Sequence, residues 1–182
     1  MNSLIEQIDH TWTLFLDRDG VINERLIDTY VKTIDEFKFI EGSKEAIVYF
    51  SKIFNHIFVV TNQQGIGKGY MTERNLFEVH DYMTKEIEKS GGQITAIFFA
   101  PQLASENSDY RKPNTGMGLK AKELYPSIDF NKCIMIGDSN SDIEFGKKLG
   151  MITVKIGEEL STNENADYNC KSLVECIKLL KL

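Results

Sequence analysis

The chain has 182 residues, 42% apolar and 26% charged, a composition typical of soluble globular proteins and too apolar for disorder. At roughly 150 residues per domain the length predicts one domain over 1–182, able to fold without a disulfide or metal staple. Lysine and arginine number 21 against 27 acidic residues, a formal charge of -6; this excludes the basic footprint of a nucleic-acid binder and means an anionic ligand needs local cations or a metal.

The first ten residues, MNSLIEQIDH, lack a basic start and an apolar run, which predicts no signal peptide. No apolar stretch approaches the roughly 20 residues of a membrane helix. The cysteines are Cys133, Cys170 and Cys176. Their odd number and the lack of a Cys-x-x-Cys pair imply neither a disulfide framework nor a zinc knuckle, and a reducing, cytoplasmic setting is expected.

In chain order, compact apolar blocks at 12–16, 57–61, 94–99 and 133–136, with a weaker one at 152–156, predict strands covered on both faces. Helical patterns lie between them. Ser43 is the expected cap of a helix burying Ala46, Ile47, Phe50 and Ile53. Thr72 is the expected cap of a longer one, with Leu76, Val79, His80, Met83 and Ile87 at helical spacing and Gly91-Gly92 as its stop. Two more helices are expected over about 115–125 and 141–149. A last one opens on a capping box, Ser172 with Glu175, and carries Ile177, Leu179 and Leu180. This alternation predicts an α/β fold with a parallel sheet between helix layers and right-handed crossovers. Ligands of such sheets sit beyond the carboxyl ends of the strands, near the loops at about 20–42, 62–71 and 100–114.

The strand ends carry the chemistry. The first strand runs into Asp17-Arg18-Asp19-Gly20. The pair reads either as a polar turn with solvated acids or as a Mg²⁺ site, since two close carboxylates need a cation. The second ends in Thr61-Asn62-Gln63-Gln64, a hydroxyl followed by a turn able to bind an anion. Gly65, Gly67 and Gly69 with Lys68 fit no nucleotide-loop pattern and read as a mobile loop. Arg111-Lys112-Pro113 follows the third strand, and Asp138 ends the fourth. Asp142 reads equally as a first-turn helix acid, a metal ligand or a hydrogen-bond partner of Lys112.

Asp-x-Asp, Thr, Lys and Asp at four successive strand ends resemble the haloacid dehalogenase-like (HAD) superfamily of phosphohydrolases. Its four motifs are matched by FLDRDGVIN, VVTNQQ, RKP and IGDSNSD, spanning 14–142. Within it, DRDGVIN, TYVKTIDEFKFIEG, VVTNQQGIGKGYMTE and RKPNTGM are similar to the heptose 1,7-bisphosphate phosphatases. The histidinol-phosphate phosphatases share the four motifs but less of the segment after the first.

The resemblance implies a three-layer Rossmann-like fold and a phosphatase working through an aspartyl-phosphate. Asp17 would be the nucleophile and Asp19 the general acid and base. Mg²⁺ would be held by Asp17, the backbone carbonyl of Asp19, Asp138 and, less directly, Asp142. Thr61 and Lys112 would bind the equatorial phosphate oxygens. Substrate contacts would come from Asp28, Thr29, Tyr30, Asn62, Gln63, Gln64 and Arg111. The chain has no room for a large cap domain. The zinc-binding loop usual in these relatives is replaced at its ligand positions by Ala100-Pro101-Gln102 and Ser108-Asp109-Tyr110, so no structural zinc is expected. The loop must then be ordered by other contacts, or be mobile.

Three other readings are weaker. A receiver-like phospho-signalling module needs an Asp at the end of the third strand, which here runs Phe98-Phe99-Ala100-Pro101. A catalytically dead scaffold is disfavoured by the full set of chemical residues. A phosphotransferase differs only in its second acceptor. No catalytic role is expected for His10, His56 or His80, the last being read as packed on a helix, and Cys133 reads as core. The expected partner is a small phosphate ester, met by a monomer.

Overall fold

A computed structural model describes residues 8–157 and 165–179. Leu180 of the expected last helix and most of the amino-terminal decapeptide lie outside the described residues. Six strands form one parallel sheet: β1 (Thr13–Leu16), β2 (His56–Asn62), β3 (Ala96–Ala100), β4 (Cys133–Gly137), β5 (Ile152–Ile156) and β6 (Tyr168–Cys170). Their order is β3-β2-β1-β4-β5-β6. The chain winds one way from β1 through β2 to β3, then crosses back to β4 and winds the other way. The switch point therefore lies between β1 and β4, where a ligand crevice opens in such sheets.

Both faces are covered, which is why the strands read as solid apolar blocks. Leu14, Leu16, Val59, Ile134 and Ile136 pack into one core layer, while Phe15, Phe58, Val60, Met135 and Phe145 pack into the other. The helices are α1 (Ser43–Phe50), α2 (Glu73–Lys89), α3 (Gly116–Leu124), α4 (Asn140–Leu149) and α5 (Leu173–Leu179). In α2 the residues Leu76, Val79, His80, Met83 and Ile87 are buried. The Thr72 hydroxyl accepts from Asn75 N, and Asn75 Oδ1 accepts from Thr72 N in return. Such a cap stabilises a helix by about 1 kcal/mol.

Local details differ from the sequence expectations. Gly42, not Ser43, caps α1, at a left-handed φ of 75°. Ser43 lies inside the helix and its hydroxyl donates to Ile22 O, a tertiary bond that local pattern does not reveal. The third strand starts at Ala96 rather than at residue 94. The edge strand β6 had no apolar block to announce it. At α5 the Ser172 hydroxyl accepts from Glu175 N, but the Glu175 carboxylate accepts from Lys171 N, one residue earlier than the expected box. The expectation of no disulfide is also corrected: Cys170 and Cys176 are bonded, because the turn from β6 into α5 brings their Cα atoms to 6.1 Å. Cys133 is free and buried, its thiol pushed up to about 12 chiefly by burial, which suits an inert core residue.

Candidate active site

Register brings the chemistry together. Leu16 pairs with Val59 on one side and Ile136 on the other. Asp17 follows directly, its N–H donating to Ile136 O at 2.9 Å. Thr61 and Asp138 therefore emerge beside it at the same edge of the sheet. Lys112 reaches in from the loop after β3. Its buried ammonium donates to Asp17 Oδ1 at 2.9 Å, Asp142 Oδ1 at 2.5 Å and Val60 O at 2.6 Å. The backbone of Lys112 is clamped by Asn62, whose Oδ1 accepts from Lys112 N and whose Nδ2 donates to Lys112 O, both at 3.0 Å.

Asp142 combines two of its expected roles. As the third residue of α4 its Oδ2 accepts from Ser139 N and Ser139 Oγ, and its Oδ1 takes Lys112. Close backbone approaches at two glycines allow this packing. A Cβ on Gly137 would sit 2.2 Å from Asp142 Cβ, and one on Gly20 would sit 2.2 Å from Asp138 Oδ2. Gly20 also holds a left-handed φ of 84°.

The acids are tuned apart. Burial pushes Asp17 up to about 7; Lys112 opposes this, while Asp142, Asp138 and Asp19 add to it. Burial and then Asp142 raise Asp138, against the pull of Arg25, whose Nη1 donates to Asp138 Oδ2 at 3.0 Å. Asp19 goes the other way. Burial would raise it, but Arg18, Asn23 and Gln63 together hold it below the usual carboxylate range. Arg18 Nη2 lies 3.0 Å from both its oxygens, Asn23 Nδ2 2.9 Å from Oδ1 and Gln63 Nε2 2.8 Å from Oδ2.

One oxygen each of Asp17, Asp138 and Asp142 lie within 4.8 Å of one another. Three carboxylates this close, with Asp17 and Asp138 both resisting ionisation, fit a hard divalent cation such as Mg²⁺. Both oxygens of Asp142 are already engaged by Lys112 and Ser139, whereas Asp17 and Asp138 each have one oxygen so engaged, by Lys112 and Arg25.

A cavity of about 610 Å³ opens over this cluster. Asp28, Thr29, Tyr30, Asn62, Gln64 and Arg111 line it, together with Asp17, Asp19, Thr61 and Lys112. Gln63 does not. It is buried and bridges Thr61 Oγ1 and Asp19 Oδ2, so it orders the site from below. Lys68, Tyr70 and Arg25 also line the cavity and were not among the expected site residues; Lys68 and Tyr70 lie within the VVTNQQGIGKGYMTE stretch, and Arg25 lies in no motif. The Lys68 ammonium stands 5.6 Å from the Tyr30 ring centroid, and the Tyr70 ring centroid lies 6.1 Å from that of Tyr30. The glycine-rich loop expected to be mobile is knitted by backbone bonds, including Gly67 N to Pro101 O and Tyr70 N to Gly65 O.

The loop without zinc ligands is ordered by hydrogen bonds. Asn114 Nδ2 donates to Ser108 O, Gly116 N to Asp109 O and Arg111 Nη1 to Gln102 O. These contacts tie the loop to the segment that presents Arg111. His80, expected as packed, is buried and also 3.1 Å from Arg18 Nη1. Burial and then Arg18 push it down to about 3, so the imidazole is neutral.

Residues 109–176 match the HAD-hydrolase-like family model. A D-glycero-alpha-D-manno-heptose-1,7-bisphosphate 7-phosphatase of Campylobacter jejuni is 37% identical over 94% of this chain and 96% of its own. The chain belongs to the haloacid dehalogenase-like phosphohydrolases. A second relative in this family, the D-glycero-beta-D-manno-heptose-1,7-bisphosphate 7-phosphatase of Pasteurella multocida, is 33% identical over 92% of this chain and 96% of its own. The crystal structure of the D,D-heptose 1,7-bisphosphate phosphatase of B. bronchiseptica, complexed with magnesium and phosphate, superposes with a TM-score of 0.84. It is 27% identical and covers 93% of this chain and 98% of its own. Among the described residues no helix is long and apolar enough to cross a membrane.

Proposed function

We propose that this HAD phosphatase removes the 7-phosphate of D-glycero-D-manno-heptose 1,7-bisphosphate, working as a single domain. The observation that carries the chemistry is the Lys112 ammonium shared by Asp17 and Asp142 at the strand ends, beside Asp138 and under an open cavity. The cavity wall favours the bisphosphate over histidinol phosphate. Arg25, Lys68 and Arg111 line it beyond the reacting carboxylate. These cations, Arg25 also being paired with Asp138, suit a substrate with a second phosphate more than one that carries an ammonium group.

Asp17 attacks phosphorus as the bond from phosphorus to the sugar oxygen breaks, and Asp19 passes its proton to that oxygen. The Asp19 carboxylate then takes a proton from the water that attacks phosphorus; the bond from phosphorus to Asp17 breaks, which releases inorganic phosphate and frees Asp17. Arg18, Asn23 and Gln63 favour the ionised form of Asp19, so the protonated form gives up its proton readily. Lys112 and Thr61 hold the oxygens whose charge grows in the transition state. Asp17 and Asp138 would hold Mg²⁺, which would supply Lewis-acid neutralisation of the phosphate charge.

The test is phosphate release from both anomers of the heptose bisphosphate, histidinol phosphate and common sugar phosphates, each with Mg²⁺, with EDTA and with Asp17→Asn. Mg²⁺-dependent release that favours the heptose bisphosphate by orders of magnitude and vanishes in the variant is the expected result. Similar low rates on many esters would keep the mechanism and remove the substrate assignment.

A further inference from the structure

We propose that His80 is a positioning residue for the proton-transferring carboxylate of Asp19, acting through the guanidinium of Arg18. The inference rests on the role given to Asp19 above. Arg18 is fully buried, and its side chain lies between the strand end and α2. It meets Asp19 through one nitrogen only: Nη2 is 3.0 Å from Oδ1 and 3.0 Å from Oδ2. This is not the two-nitrogen fork that makes an arginine–carboxylate pair rigid. A single-nitrogen contact fixes the plane of the guanidinium less firmly than a fork does, and among the described residues Arg18 Nε has no hydrogen-bond partner to add to it.

His80 Nε2, 3.1 Å from Nη1, is the second anchor. Guanidinium is donor-only, so Nε2 must be the accepting nitrogen and the ring's proton sits on Nδ1. The ring is held in turn by burial in the α2 layer and by an edge contact with Phe99 at 6.4 Å. The imidazole thus sets the plane of Arg18, and Arg18, with Asn23 and Gln63, sets the rotamer of Asp19. His80 does not line the cavity and bonds to Arg18, so it needs no contact with substrate to act.

A positioning role has a signature that a purely structural one lacks. Protonation of the leaving oxygen matters for a sugar phosphate and hardly at all for p-nitrophenyl phosphate, whose leaving group is stable as an anion. The parameter kcat/KM reports transfer to Asp17 and excludes the later hydrolysis common to both esters. His80→Phe keeps the ring and removes the acceptor. Its kcat/KM on the heptose bisphosphate is expected to fall about tenfold or more, and on p-nitrophenyl phosphate about twofold or less. His80→Gln, which offers an amide oxygen to Nη1, is expected to recover most of the loss. Thermal melting of both variants checks that they fold. Equal falls on the two esters, no fall on the sugar ester, or no recovery with Gln would each overturn the inference. Asp19→Asn, run alongside, must show the same preference for losing the sugar ester; if it does not, the reading of Asp19 itself fails, which is a separate result.

Discussion

Lys112 Nζ lies 2.9 Å from Asp17 Oδ1 across 95 residues of chain, and both groups are buried. Burial opposes the charge of the lysine, yet Asp142 and Asp17 hold its pKa above the ordinary value. The ammonium is the fixed charge of the site: it opposes the rise that burial imposes on Asp17 and Asp138, and it is held by Asp142.

Removing that charge exposes two buried carboxylates to each other. Lys112→Met is expected to lower kcat/KM by about a hundredfold or more, as for loss of a transition-state donor. Breaking a buried pair also costs about 3–5 kcal/mol of stability. Steady-state kinetics and urea unfolding read the two losses separately.

Asp17 makes metal-free stability depend on pH. Its folded value of about 7 stands above the unfolded value of 3.8, so the folded state binds more protons between them. The stabilisation is full below about pH 4 and is lost as pH rises through about 7, at a few kcal/mol in all. In EDTA, Asp17→Asn is expected to be inactive but to melt higher than the wild type at pH 8, with the gap closing towards pH 4. Mg²⁺ should raise the wild-type melting temperature at pH 8 and leave the variant nearly unmoved. Melting temperature against pH with and without metal measures both effects.

His80 gives the opposite slope. Its folded value of about 3 lies below the unfolded 6.5, so its contribution is present above pH 6.5 and is lost as pH falls towards 3. Replacing it with Gln is expected to flatten the acid side of the stability curve by up to one proton. Urea midpoints between pH 7 and pH 4 test this, and an unchanged slope would place the ring in contact with solvent.

Gly20→Ala should strike the metal site without replacing a ligand. The added Cβ collides with Asp138 Oδ2 and meets a left-handed backbone. Mg²⁺ affinity by titration calorimetry is expected to weaken at least tenfold, with about 1 kcal/mol or more of lost stability from the backbone alone. Elemental analysis of the unmodified protein should find zinc well below one equivalent, given the missing ligands at 100–102 and 108–110.

The strand-end chemistry was legible because it is local. An apolar strand followed at once by Asp17-x-Asp19, by Thr61 or by Asp138 announces itself within a few residues. The helix pattern of α2 and the buried strands read out for the same reason. That Gln63 is buried against Thr61 and Asp19 while Gln64 lines the cavity could not be read from TNQQ, because nothing in it tells which amide turns inward. The short edge strand β6 and the Cys170–Cys176 bond were missed because a three-residue strand has too few side chains to form a pattern.

The sequence by itself determined the α/β alternation, the order of acid, hydroxyl, lysine and acid, and the absence of zinc ligands. Each depends on residue type and short-range spacing. Tertiary structure alone decided that Asp142 carries Lys112, that Arg25, Lys68 and Tyr70 wall the cavity, and that His80 stands behind Arg18. Those contacts join residues up to 113 positions apart, and only the pairing of parallel strands and the packing of α2 on the sheet bring them within reach.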